Sequence, residues 1–438
     1  MTVIKGYTDR LRQHGSELGW ILLGHAAAFI GGIVGVKVLT MTLGTAGYGT
    51  LALGLSVAGL LNSFLHNPFS NAVARFVAPY RDQGKQTLFY RTLLGLQGRL
   101  LMLMPVVAVL LVGVTTLLSS WYWGLLVAAG VWYGAATGAA VSFQAWQNAA
   151  RDRRSATTAQ IADVWLRIAI AIVLVQLVPD GRLAVTGYAI GSALVALWQY
   201  ARARRALHAA GTAVVTDHDQ EDSRQEFIRF SLPFAGYALF TVVSLYGDRW
   251  LLQQFDGVVA VGIYAAIYQL AASPVNILFA IVNQLMIPLI YEQAGAAGSG
   301  AVVPAARRLI VVTVWGVLAV LTVGGVLLSI LQYWIVALCT ASSFVPYAPL
   351  LVLVFWGLGL FQLGQILTLY GNCAGLPGIY LLAKIVHAVA LGIFGVMLIP
   401  RMGVFGMGWA LVAASLLYLM AIVLVNRRLA FSSGGCHV

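Results

Sequence analysis

Charged side chains stand inside long apolar runs at Lys37, Asp163, Arg167, Asp248, Arg249 and Lys384. A charge at the centre of a bilayer costs at least about 2.5 to 3.5 kcal/mol on insertion scales, so such residues usually face a cavity or a partner and mark a route for substrate or ion. The bases Lys37, Arg167, Arg249 and Lys384 outnumber the acids Asp163 and Asp248. That balance describes a cationic cavity suited to an anion. Arg75 follows the polar run Asn67-Pro68-Phe69-Ser70-Asn71 and joins the candidate substrate-binding set, although snorkelling to the interface also accounts for it, as it does for Arg99. Arginine stays charged and can hold a phosphate throughout a cycle, whereas a carboxylate can change partner or protonation. Asp163 and Asp248 are therefore the candidate ion-coupling residues.

Each of these residues also has a plainer reading. Asp163 and Arg167 are spaced i, i+4, so one helix can pair them and neutralise both. Asp248 and Arg249 are adjacent and leave a helix about 100° apart, so at least one is expected to need another partner. Lys37 and Lys384 lie one to two turns from expected helix ends, within snorkelling reach. His25 and His387 fit buried hydrogen-bonding roles better than proton carriage. Asn62, Asn67, Asn276, Asn283, Gln284, Gln362 and Gln365 suit helix-to-helix hydrogen bonds or sugar hydroxyls.

Catalytic chemistry has no comparable signature. The sequence contains no P-loop, no HExxH, and no set of nucleophile, base and electrophile stabiliser. The three cysteines, Cys339, Cys373 and Cys436, are far apart and show neither a disulfide framework nor metal-ligand spacing. The expectation is a protein that is not an enzyme and needs no cofactor or metal.

The elements that must position these charges follow from composition. Hydrophobic residues make up 60% of the chain and charged ones 9%, with a mean hydropathy of +0.87, whereas soluble domains carry about 25% charge. A span needs roughly 20 mostly apolar residues. Apolar runs predict about twelve spans, near 19–41, 47–68, 99–119, 121–143, 159–179, 183–201, 229–254, 259–290, 307–331, 347–370, 378–400 and 403–425. Pro233, Pro274 and Pro288 can kink the seventh and eighth. Basic residues concentrate at the N-terminus, after even-numbered spans and in the tail, as at Arg81, Arg153, Arg204, Arg308 and Arg427. The positive-inside rule then places both termini in the cytoplasm, and it accounts for the +12 net charge without nucleic-acid binding. Residues 1–18 do not resemble a removable signal peptide and suggest a short cytoplasmic surface helix.

The longest polar stretch, from Arg202 to Arg229, divides the spans into two sets. The resulting organisation is an all-α polytopic membrane protein: a segment 1–18, an N-lobe 19–201, a cytoplasmic loop 202–228, a C-lobe 229–425 and a cytoplasmic tail 426–438. Two six-helix lobes around a central cavity are what a transporter built from repeats would show. A faint internal likeness supports this, with Lys37 and Gly47-Tyr48-Gly49 matched by Arg249 and Gly262-Ile263-Tyr264.

The stretch from Phe230 to Leu252, followed by Val261-Gly262-Ile263-Tyr264-Ala265-Ala266, resembles the start of the second lobe in polysaccharide-biosynthesis flippases. These are members of the multidrug, oligosaccharidyl-lipid and polysaccharide exporter superfamily. The small-residue-rich first helix, Gly47-Tyr48-Gly49, and the run Ala149-Ala150-Arg151-Asp152-Arg153-Arg154 are similar in the first lobe. The resemblance implies alternating-access movement of undecaprenyl-pyrophosphate-linked oligosaccharide from the inner to the outer leaflet of the cytoplasmic membrane. It further implies coupling to H+ or Na+, contact with membrane lipids, and a polysaccharide polymerase and chain-length regulator as candidate partners. The alternatives are a drug or metabolite exporter of the same architecture and a non-transporting membrane component of polysaccharide assembly. Several relatives carry two further helices beyond twelve, and this sequence shows none.

Overall fold

The computed structural model describes residues 2–211, 215–294 and 304–434. Among them are fourteen α-helices and no strand: α1 (Thr2–Leu61), α2 (Asn67–Asp82), α3 (Gln86–Leu118), α4 (Trp121–Ala149), α5 (Arg153–Leu177), α6 (Gly181–Ala209), α7 (Asp217–Phe255), α8 (Gly257–Ile281), α9 (Ile287–Ala294), α10 (Pro304–Cys339), α11 (Pro349–Leu367), α12 (Leu369–Cys373), α13 (Leu381–Met402) and α14 (Val404–Gly434). All-helical structure is what lipid imposes, because a helix satisfies its own backbone donors and acceptors. The chain is an all-α, multi-pass membrane protein.

Ten helices among the described residues are long and apolar enough to cross a membrane. The first runs Leu22–Asp82, 61 residues, far more than one crossing needs, and it breaks at Gly44, where φ is 65° and ψ −169°. A side chain would disfavour that conformation. The spans expected at 19–41 and 47–68 are therefore two helical arms joined across a kink at this glycine. Residues 2–18 continue into α1, and the expected span 259–290 is α8, a π-helical turn (Val282–Met286) and α9. The two arms, together with the more polar α7, account for the difference between ten and the expected twelve.

The chain forms two compact units, residues 1–43 with 50–242 and residues 44–49 with 243–438. The division falls inside α7. Its amphipathic start belongs to the first unit because Phe227 is fully buried there among Phe69, Phe76, Tyr80 and Phe89. Tyr80 Oη donates to Glu226 at 2.7 Å, and Ser223 Oγ sits 2.9 Å from Thr92 Oγ1. Glycines set the packing elsewhere in this unit. Gly130 and Gly134 of α4 leave no room for a Cβ against Gly54, Val57 and Ala58 of α1. Gly187 and Gly191 of α6 meet the α5 backbone at Ala171 and Arg167, a small-xxx-small contact typical of packing within membranes.

In the second unit, Gly44–Gly49 packs on the first turns of α8, and α14 lies along α11 and α13. Gly357 accommodates Leu411, and Gly364 accommodates Tyr418. The uncharged stretch after α11 closes through Tyr380, whose hydroxyl accepts the Gly371 N–H at 2.8 Å. Cys339 and Cys373 are buried; Cys436 and the end of the expected tail lie outside the described residues.

Candidate functional site

In the first unit, the α5–α6 glycine contact brings polar groups from three helices together. Asp163 Oδ1 accepts from Ser192 Oγ at 2.6 Å, and its Oδ2 lies 3.4 Å from Arg167 Nη1. The same Nη1 donates to Tyr133 Oη at 3.0 Å. The guanidinium stands over the Tyr188 ring at 5.6 Å. Asp163 and Arg167 thus form the i, i+4 pair that their spacing permits, and the ring of partners goes well beyond that pair.

A second cluster occupies the second unit. Asp248 is 2% exposed. Its Oδ1 accepts the backbone N–H of Arg249 at 2.8 Å and lies 3.3 Å from Arg249 Nη1. Nη1 also donates to the Leu245 carbonyl at 2.9 Å, and the guanidinium lies 5.0 Å from the Tyr268 ring centre and 5.8 Å from that of Tyr246. Arg249 thus takes the further partners that the divergence of the two residues called for, and it also meets Asp248 directly. The Cα–Cβ directions do diverge, but the long arginine side chain curls back to its neighbour's carboxylate.

The remaining candidates stand outside these clusters. Lys37 is half-buried on α1, with its carbonyl accepting from Thr40 Oγ1 at 3.0 Å. Arg75 is exposed on α2, and Lys384 is half-buried on α13, one turn before His387. His387 is buried between Phe361 and Tyr418, and His25 is half-buried. Neither Arg75 nor Lys384 has an acidic partner within ion-pair distance among the described residues. No group of His, Cys, Asp or Glu side chains among the described residues is arranged to hold a metal.

Sequence reading missed Tyr133, Tyr188, Ser192, Tyr246 and Tyr268. Tyr188 and Ser192 had a usable signal, since Gly187-x3-Gly191 brackets Tyr188 and adjoins Ser192 and marks the face of α6 that meets α5. The first unit also contains an apolar cavity of about 1060 Å³ between α3, α4 and α6, lined by residues such as Leu101, Ala128, Trp132, Ala193 and Leu197, with Asp180 and Arg182 also on its wall. Its lining suits hydrocarbon.

Residues 15–293 match the sequence profile of the family described as polysaccharide biosynthesis protein. Among curated proteins, none matches the chain by sequence. Several solved structures share its fold. The lipid II flippase MurJ in an inward closed conformation is 10% identical with a TM-score of 0.66, covering 95% of this chain and 90% of that one. An inward-facing multidrug resistance MATE family transporter of the MOP superfamily is 14% identical with a TM-score of 0.62, covering 94% and 96%. A Vibrio cholerae MATE transporter is 13% identical with a TM-score of 0.60, covering 96% and 97%.

Proposed function

We propose, from the premise that this chain belongs to the polysaccharide biosynthesis protein family, that it is a flippase carrying an undecaprenyl-pyrophosphate-linked oligosaccharide from the inner to the outer leaflet by alternating access. The observation that carries this reading is the charge left over in and beside the spans. Asp163 and Asp248 are each engaged by an arginine of their own helix, while Arg75 and Lys384 have no acidic partner among the described residues. The surplus is basic, and a basic lining attracts a pyrophosphate and repels a cationic drug. In this reading Lys37, Arg75, Arg167, Arg249 and Lys384 attract the anion. Asp163 or Asp248 changes partner as the cycle turns, coupling transport to H+ or Na+.

The protein acts as a carrier with no catalytic residues. It resides in the inner membrane with both termini cytoplasmic, as the distribution of Lys and Arg favours, and it works beside a polysaccharide polymerase and a chain-length regulator. Because MATE transporters share the fold, drug export is the second reading. Deleting the gene and measuring lipid-linked oligosaccharide by leaflet, with surface polysaccharide in the same cells, separates the two. Inner-leaflet accumulation with loss of surface glycan is the expected result; unchanged glycan with altered drug sensitivity replaces the flippase with the exporter.

A further inference from the structure

Between α1 and α2 the sequence Asn62-Ser63-Phe64-Leu65-His66 forms a single π-helical turn, a feature often found where function has distorted a helix. The second unit has its own π turn at Val282–Met286. Each turn ends two residues before a proline, Pro68 or Pro288. The two differ at their last residue, which is buried His66 in one and half-buried Met286 in the other.

His66 is 0% exposed. Neither ring nitrogen has a hydrogen-bond partner, and the buried Oδ1 of Asn62 has none either. Both side chains lie against the bare face of Gly138 in α4, where a Cβ would collide with the imidazole ring and stand 2.5 Å from Asn62 Oδ1. Ring and amide oxygen are therefore close neighbours on one glycine surface. Buried polar groups are nearly always paired, and an unpaired one calls for a reason.

The donor and acceptor inventory suggests what completes this site. A neutral imidazole has one donor and one acceptor, an imidazolium has two donors, and an amide oxygen only accepts. Neutral His66 already carries one N–H donor, so a second proton adds a charge rather than a missing donor. Among the described residues no acidic side chain lies within ion-pair distance of the His66 ring. An imidazolium enclosed there would have no counter-charge and would be costly. Protonation therefore favours a conformation in which water reaches the ring, and the enclosed conformation favours release. A group whose charge state is tied to its exposure links proton binding to a conformational equilibrium.

We propose that His66, with Asn62 as its acceptor, is a proton-binding site of the first unit, and that loading and unloading it couples a proton gradient to the transport cycle. This rests on the transporter reading above, and it identifies the coupling ion as H+.

The test has two arms. Protein carrying 15N-histidine, held in lipid nanodiscs, is titrated from about pH 4 to about pH 8, the range in which histidines change charge. The His66 signal is assigned by its loss in His66→Gln. In proteoliposomes, movement of lipid-linked oligosaccharide is measured with and without an imposed pH gradient. The expected results are a His66 signal that titrates, a midpoint shifted in Asn62→Ala, and loss of gradient stimulation in His66→Gln. A His66 signal that does not titrate overturns the proposal, as does a His66→Gln protein that keeps the wild-type response to the gradient. Should His66→Gln not fold, Asn62→Ala decides through the pH titration, and histidine signals unmoved by it count against the site. If wild-type protein moves no lipid-linked oligosaccharide, the flippase reading fails while the titration still decides whether His66 binds a proton.

Discussion

Gly49 and Gly262 meet backbone to backbone, and the contact is reciprocal. A Cβ on Gly49 would collide with the Val258 carbonyl oxygen, and one on Gly262 would collide with the Thr45 carbonyl oxygen. Gly44 and Gly257, at the start of the two segments, both have positive φ. Positions 44, 45 and 49 are thus matched by 257, 258 and 262, as two copies of one motif packed on each other would be. The internal likeness around Gly47-Tyr48-Gly49 is real structure, but its register pairs Gly49, not Gly47, with Gly262. Either Gly49→Val or Gly262→Val should force the segments apart, at the cost of about 1–3 kcal/mol usual for overpacking. Thermal unfolding of the purified protein would show a lower Tm for each; a Tm equal to wild type would rule out the close contact.

The Asp163–Arg167 pair makes a prediction through a double-mutant cycle. Removing one partner of a buried pair strands a charge and costs about 3–5 kcal/mol, whereas replacing both is far milder. Asp163→Ala should therefore reduce the folded, membrane-inserted yield more than Asp163→Ala with Arg167→Leu. If the double variant is as poor as the sum of the single ones, the two side chains are not coupled as their 3.4 Å separation indicates.

Arg249 is held by an acid, a carbonyl and two tyrosine rings. A lysine keeps the charge but lacks the planar fork that stacks and reaches two acceptors together. Arg249→Ala should abolish surface-glycan export while the protein stays in the membrane. Arg249→Lys should recover less than about a tenth of it, a loss of about 1.4 kcal/mol or more in the limiting step. Full export by Arg249→Ala would remove this residue from the mechanism.

What the sequence disclosed follows from range of interaction. Apolar runs marked the spans because lipid selects them segment by segment, and Asp163 with Arg167 was legible because an i, i+4 pair is local. The need of Asp248 and Arg249 for further partners was legible, but their direct contact was not, because helical geometry fixes only where a side chain starts and an arginine is long enough to return. Tyr133 comes to Arg167 from another helix with no motif of its own, so only the packed structure joins them. His66 sits at the end of an apolar arm where hydropathy sees nothing unusual, and a π turn leaves no trace in a 3.6-residue period.

Asp180 gives a prediction outside the spans. It caps α6, with Oδ1 accepting the Arg182 N–H at 2.8 Å, while the Arg182 guanidinium faces its other oxygen and lies 4.0 Å from the Tyr122 ring centre. Burial works to raise its pKa, but the hydrogen bonds and charge of Arg182 outweigh it and hold the carboxyl below its ordinary value. A group lowered on folding contributes stability that is present above its unfolded pKa of about 3.9 and is lost as pH falls through the folded value. Wild-type Tm should therefore drop on acidification below about pH 4. Asparagine also caps helices, so Asp180→Asn should keep the cap, lose the charge, and show a shallower drop over the same range. Asp180→Ala removes both and should cost about 1 kcal/mol at neutral pH. Thermal melts of the three proteins across pH would check this, and an Asp180→Asn curve that parallels wild type would mean that the acid sensitivity arises elsewhere.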